Sequence, residues 1–344
     1  MNPFTLMFGI TTSSKISRSE NIEKIQNAFL NENGMYSYLI TGIRGTGKTV
    51  LLRTLEEIIE KTPNWIVLKI NPQKNIISEI YDCLIQRDYM ANEASKCNLS
   101  LNLGQPPLIG EDDKNNNPEI VIANILEKLK TFGLKILITI DEVNNTSEFK
   151  KFINYYQIII SKRLPMYLLM TASNENAIDL INDKASAFLT RIPKIVLEPL
   201  DLNIIASEYQ SKLNVSLKTS IELAKLTNGY AFAYQVLGYL FYESGAKEIT
   251  TDSISKYEKY LWNNGYAKFW KDLSNKDREF LIALSKTTNG IKKDILDYLE
   301  SKDSYPVYRE RLLEKGLIYS PSYGCLNFVL PRFKEFIQLM LEFE

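Results

Sequence analysis

Gly42, Gly47, Lys48 and Thr49 fall at the spacing G-x-x-x-x-G-K-[ST], and Gly45 adds a further glycine inside the loop. Such a loop can fold its backbone tightly around an anion, because glycine reaches conformations that a side chain forbids. Its N–H groups, together with the positive end of the helix that follows, stabilise phosphate. In that chemistry Lys48 reaches the β and γ phosphates of a nucleoside triphosphate, and the Thr49 hydroxyl ligates Mg2+. The candidate nucleotide-contacting run is Gly42-Ile43-Arg44-Gly45-Thr46-Gly47-Lys48-Thr49, extended by Val50, and ATP with Mg2+ is the implied pair of ligands.

A second constellation follows the apolar run Ile136-Leu137-Ile138-Thr139-Ile140, where Asp141 and Glu142 stand side by side. Two carboxylates at the end of a strand suit the metal side of a phosphoryl-transfer site. Asp141 is assigned to Mg2+, directly or through water, and Glu142 to orienting or deprotonating the attacking water. Histidine is absent from the chain, which excludes Ser-His and Cys-His pairs. Any chemistry must run on carboxylates, Lys, Arg and bound metal.

Stepping outward, residues 36–41 are a β-branched and aromatic run ending at Gly42, and residues 50–59 have helical spacing. The phosphate loop therefore joins a strand to a helix. Further strands are predicted at Trp65–Ile70, Lys135–Ile140, 166–171 and 194–197, with helical segments between most of them. This alternation implies a parallel α/β sheet, which presents ligand sites at the carboxyl ends of its strands. The loop after Thr41 and the acids after Ile140 then share one edge.

Residues 88–118 break the pattern with polar, Asn-rich sequence and read as a surface excursion, 97–103 being its one short strand candidate. From 202 to 266 apolar residues recur at helical spacing, as in Ile221, Leu223, Ala224 and Leu226, which predicts a small all-α domain. The tail reads as helices at 277–284, 291–299 and 306–315, then β runs at 317–319 and 326–330 joined through Pro321-Ser322-Tyr323-Gly324. Three helices and a hairpin describe a winged helix. The expected domains are 1–200, 201–268 and 269–344.

The two motifs in this order resemble the AAA+ and STAND branches of P-loop ATPases, and above all the origin-recognition-like and archaeal-type ATPases that end in a winged helix. The resemblance implies a P-loop NTPase sheet sandwiched by helices, an all-α lid and a winged-helix tail. It also implies further site residues. Ile16-Ser17-Arg18-Ser19-Glu20 resembles the entry segment near the adenine, which nominates Arg18. Met170-Thr171-Ala172-Ser173-Asn174 resembles the sensor element, with Asn174 watching the γ phosphate or else capping the next helix. Leu189-Thr190-Arg191 resembles the segment that carries an arginine finger, which nominates Arg191. Thr227-Asn228-Gly229-Tyr230-Ala231 resembles the Gly-x-Pro turn of STAND proteins, with Ala231 in place of proline. No arginine follows in 232–240, which favours a slow switch over rapid hydrolysis.

A winged helix offers its third helix to a DNA major groove, and here that helix carries Tyr305, Tyr308, Arg309, Arg311 and Lys315. Basic and acidic residues are equal in number over 271–344 and over the whole chain, so charge selects neither double-stranded DNA nor a protein partner. The expected function is an ATP-binding, slowly ATP-hydrolysing switch whose nucleotide state positions the winged helix. The alternative is an ATP-dependent DNA-binding initiator or transcriptional regulator, and a small-molecule phosphotransferase fits the lid and tail poorly. Cys83, Cys97 and Cys325 lack metal-ligand spacing and are expected to be reduced, mostly buried thiols. No apolar run approaches the roughly 20 residues that span a bilayer, so a cytoplasmic location is expected.

Overall fold

The structure, a computed structural model, describes residues 2–7, 14–30, 36–85 and 117–343. The strand candidate at 97–103 and Cys97 lie outside the described residues. The chain divides into two compact units. The first comprises Arg18–Gly42 and Lys48–Leu197, and the second Met1–Ser17, Ile43–Gly47 and Glu198–Glu344.

In the first unit, α1 (Ser19–Leu30) leads to β1 (Ser37–Thr41), and α2 (Lys48–Glu60) to β2 (Trp65–Ile70) and α3 (Ile76–Ile85). Then come α4 (Pro118–Thr131), β3 (Lys135–Ile140), α5 (Ser147–Ser161), β4 (Met166–Ala172) and α6 (Asn174–Asn182). A 3-10 segment, Lys184–Arg191, precedes β5 (Lys194–Val196). The five strands form one parallel sheet in the order β2-β3-β4-β1-β5. Alternate strand residues point to opposite faces, and both faces are covered. Ile66, Leu68, Ile136, Ile138, Leu168 and Met170 pack under α3, α4 and α5, whereas Trp65, Val67, Leu137, Leu169 and Ile195 pack under α1 and α2. Burial on both faces is why these strands are continuous apolar runs rather than alternating ones.

The order of strands matters for chemistry. β4 lies between β1 and β3, pairing Thr41 with Ala172 on one side and Ile140 with Met170 on the other. β1 and β4 therefore end level, while β3 ends two residues earlier, so that Asp141, which follows it, comes beside Thr171 of β4. One polar cluster interrupts the core: Glu56 of α2 is 1% exposed, accepts a 2.6 Å hydrogen bond from the Thr139 hydroxyl of β3, and pairs with Arg53.

The second unit is helical. α7 (Leu202–Leu213), α8 (Leu217–Thr227), α9 (Ala231–Ser244) and α10 (Thr251–Leu261) run through a π turn at Trp262–Tyr266 into α11 (Ala267–Asp272). Asp201 and Ser216 cap α7 and α8 with their side chains, and Asn214 and Asn228 end them in left-handed conformation. Gly229, at φ 72°, is required where it stands, because an added Cβ would lie 2.6 Å from the Leu200 carbonyl. α12 (Asn275–Lys286), α13 (Lys292–Asp297) and α14 (Tyr305–Lys315) follow, then the antiparallel pair β6 (Ile318–Tyr319) and β7 (Asn327–Phe328), and a closing helix α15 (Phe333–Phe343). The three helices and hairpin stand in the predicted order, while α15 was not anticipated from the sequence. One apolar core, running from Tyr209 and Tyr234 through Trp270 to Leu312 and Ile337, spans both sides of the expected boundary at residue 268. No described helix is long and apolar enough to cross a membrane. Cys83 and Cys325 are free and half-buried, less enclosed than expected.

Replacing Thr139 with valine keeps its shape and removes the hydroxyl that faces buried Glu56. Denaturant unfolding should show a loss of about 1.5–3 kcal/mol, as for a hydrogen bond to a charged group. An unchanged midpoint would show that the bond contributes nothing.

Candidate functional site

Strand β1 delivers the chain into the phosphate loop, and α2 begins at Lys48. Lys48 is 7% exposed, and its Nζ donates to the Gly42 carbonyl at 2.9 Å, which folds the side chain back along the loop's own flank. Residues Ile43–Gly47 belong to the second unit, where Ile43 joins the apolar core and Thr46 donates from its hydroxyl to the Ile43 carbonyl at 2.9 Å. Gly45 and Gly47 take φ of 85° and 95°, in the left-handed region that favours glycine. Arg44 is exposed, and Val50 is half-buried in the first turn of α2.

The predicted metal pair is assembled within the first unit. Thr49 Oγ1 donates to Asp141 Oδ2 at 2.9 Å, and Thr171 Oγ1 donates to Asp141 Oδ1 at 2.5 Å. Thr171 comes from β4, the strand between the loop strand and the acid strand, and is fully buried. Its hydroxyl also accepts the Glu142 N–H at 2.9 Å, and its carbonyl accepts the Val143 N–H at 2.8 Å. Glu142 takes φ 58°, uncommon for a residue with a side chain, and leaves its carboxylate exposed. One threonine thus orients the Asp141 carboxylate and holds the turn that presents the second acid.

Asp141 and Thr49 fit Mg2+. Both are hard oxygen donors, and Mg2+ is commonly held by one or two protein groups with phosphates and waters completing its shell. Among the described residues, no cluster of three or more His, Cys, Asp or Glu is placed to hold a metal ion.

The nominated sensor and finger residues are placed differently from the loop. Asn174 is the first residue of α6 and half-buried, and it does not cap that helix. Ser173 is the cap, its hydroxyl accepting the Asn176 N–H. The neighbouring hydroxyl residue captured the capping role because it sits one position earlier with extended backbone. Arg191 closes the 3-10 segment and is exposed, and Arg18 is half-buried just ahead of α1.

In the tail, Tyr305 is 4% exposed and packs its ring 5.3 Å from Phe280, so it belongs to the core and not to a surface. Arg311 donates to Asp277 Oδ2 at 2.5 Å, and Lys315 lies 3.3 Å from the same oxygen. Asp277 is fully buried on α12 and pairs with both cations. Tyr308 and Arg309 remain half-exposed.

A five-stranded parallel sheet with a phosphate loop after its fourth strand in space and an acid pair one strand removed defines the fold of the P-loop ATPases. Among solved structures, a Walker-type ATPase of Pyrococcus abyssi is similar over 95% of this chain and 97% of its own, at 18% identity and a TM-score of 0.68. The Aeropyrum pernix ORC2 protein in its ADPNP–ADP complexes is similar over 98% of this chain and 97% of its own, at 12% identity and a TM-score of 0.61. Its ADP form gives 13% identity and 0.53 over the same shares. At these identities the likeness is one of fold alone, a fold shared with that Walker-type ATPase and with the ORC2 protein. A family model described as a domain of unknown function (DUF8462) matches residues 263–337, and no curated protein matches the chain.

Thr171 was missed from the sequence, although a hydroxyl near the end of an otherwise apolar strand was its signal. Thr171→Val should raise the Mg2+ concentration needed for half-maximal ATP binding by about 10–100-fold, the usual effect of removing a group that orients a metal ligand. Thr171→Ser should restore it. Unchanged Mg2+ dependence in the valine variant would remove Thr171 from the site.

Proposed function

We propose that this chain binds ATP with Mg2+ and hydrolyses it slowly, as a switch whose nucleotide state positions the C-terminal winged-helix segment. The observation that carries this reading is the Asp141 carboxylate held on one oxygen by Thr49, directly after the phosphate-loop lysine, and on the other by Thr171. The loop amides and Lys48 hold the triphosphate, and Lys48 stabilises charge developing on the γ phosphate. Glu142, exposed beside Asp141, orients the attacking water or takes its proton. When bound at Thr49 and Asp141, Mg2+ neutralises charge on the phosphate oxygens. Asn174 contacts the γ phosphate in this reading, and Arg18 lies toward the adenine.

Two features support slow turnover. α9 carries no basic residue, so this helix supplies no cation to the transition state. Arg191 is exposed at the end of its 3-10 segment, a placement suited to acting on the nucleotide of a second copy and thus only in an assembly. For the tail, a protein partner is favoured over duplex DNA. Two of the three cations on α14, Arg311 and Lys315, are held by Asp277, and Tyr305 is in the core.

Lys48→Ala should abolish ATP binding by calorimetry, and unchanged affinity would sink the assignment of the loop. Glu142→Gln should retain ATP and slow its turnover by about 10²–10⁴-fold, the usual share of a general base. Normal turnover in that variant would mean that another residue handles the water.

A further inference from the structure

The turn that enters α9 is bonded to the phosphate loop. Within the second unit, the Tyr230 hydroxyl donates to the Arg44 carbonyl at 2.6 Å, and the Phe232 N–H donates to the Gly45 carbonyl at 3.0 Å. Two consecutive carbonyls of the loop are thus held by one turn. α9 has no side-chain cap, and the Gly45 carbonyl accepts one of its otherwise orphaned first-turn amides. The fit is close: a Cβ on Gly45 would lie 2.2 Å from the Tyr230 oxygen. Tyr230 is 4% exposed, and burial pushes its phenol up, so it remains a protonated donor across the working pH range.

A trans peptide plane points its N–H opposite to its C=O. Fixing the Arg44 and Gly45 carbonyls therefore fixes the directions of the Gly45 and Thr46 N–H groups, two of the amides that such a loop offers to an anion, although the Thr46 N–H makes a long 3.4 Å bond to the Ile43 carbonyl. We propose that Tyr230 is a positioning residue of the phosphate loop, setting the loop's amides for polyphosphate through its bond to the Arg44 carbonyl. The proposal rests on the reading of residues 42–49 as a polyphosphate site. It gives the turn at 227–231 a task that the absent proline of the Gly-x-Pro pattern does not describe.

The test compares the full chain with Tyr230→Phe, using inorganic tripolyphosphate and ATP, each with Mg2+, as calorimetric probes. Tyr209→Phe is the control, because Tyr209 also donates a buried phenol hydrogen bond, to the Tyr234 carbonyl at 2.7 Å, in the same unit. Tyr230→Phe should weaken both probes about three- to tenfold, the effect of one lost neutral hydrogen bond, while Tyr209→Phe leaves both affinities unchanged. Amide exchange without ligand, run below each variant's melting midpoint, should be faster at Gly45 and Thr46 in Tyr230→Phe alone. Wild-type affinity and exchange in Tyr230→Phe would overturn the proposal and leave the polyphosphate site standing, as would equal loss in both variants. A wild-type chain that binds neither probe would overturn the polyphosphate reading and the proposal with it.

Discussion

The Asp141 carboxylate is the point on which the site turns. A carboxylate at the end of a strand would ordinarily rotate into solvent, but here each oxygen receives a hydroxyl, from Thr49 and from Thr171. Those two donors come from different elements, the first turn of α2 and the end of β4. The sheet brings them to the same acid by setting β4 between β1 and β3. The strand order thus has a direct chemical consequence. The register, which pairs Thr41 with Ala172 and Ile140 with Met170, converts that order into bonding distance by ending β3 early enough for Asp141 to meet Thr171.

The surrounding core makes the arrangement rigid. The strands that carry the site, β1, β3 and β4, are packed on both faces, so their ends cannot shift without disturbing close-packed apolar side chains on two sides. Thr171 extends this rigidity one residue further. By accepting the Glu142 N–H it stabilises a left-handed residue that would otherwise be strained, and the outcome is an acid aimed away from the core. The phosphate loop is supported in another way. Its flanks belong to the sheet unit, whereas Ile43–Gly47 group with the helical unit through Ile43, Tyr230 and Phe232.

Much of this was legible in the sequence. The inner strands β3 and β4 announce themselves as long apolar runs because a doubly covered parallel strand has no polar face to show. The loop and the acid pair are contiguous motifs, so local spacing suffices to find them. What could not be read is whatever depends on side chains meeting across elements. Tyr305 and Arg311 look like free surface residues on a charged helix, yet Tyr305 is buried against Phe280 and Arg311 is tied to buried Asp277. Thr171 and Tyr230 act through partners 30 and 186 residues away, and no local pattern encodes either contact. Ser173 rather than Asn174 caps α6 for a subtler reason, since the two residues differ only in which one precedes the first helical turn.

The central claim is that this site holds ATP and cleaves it slowly at the γ phosphate. It is tested most directly by mixing a limiting amount of γ-labelled ATP with excess chain and following retained nucleotide and released phosphate together, with and without Mg2+. The account predicts retained ATP, then Mg2+-dependent phosphate release well below the ~10 s⁻¹ typical of enzymes. Nucleotide that is never retained, or label that appears on a third molecule instead of as phosphate, would contradict it.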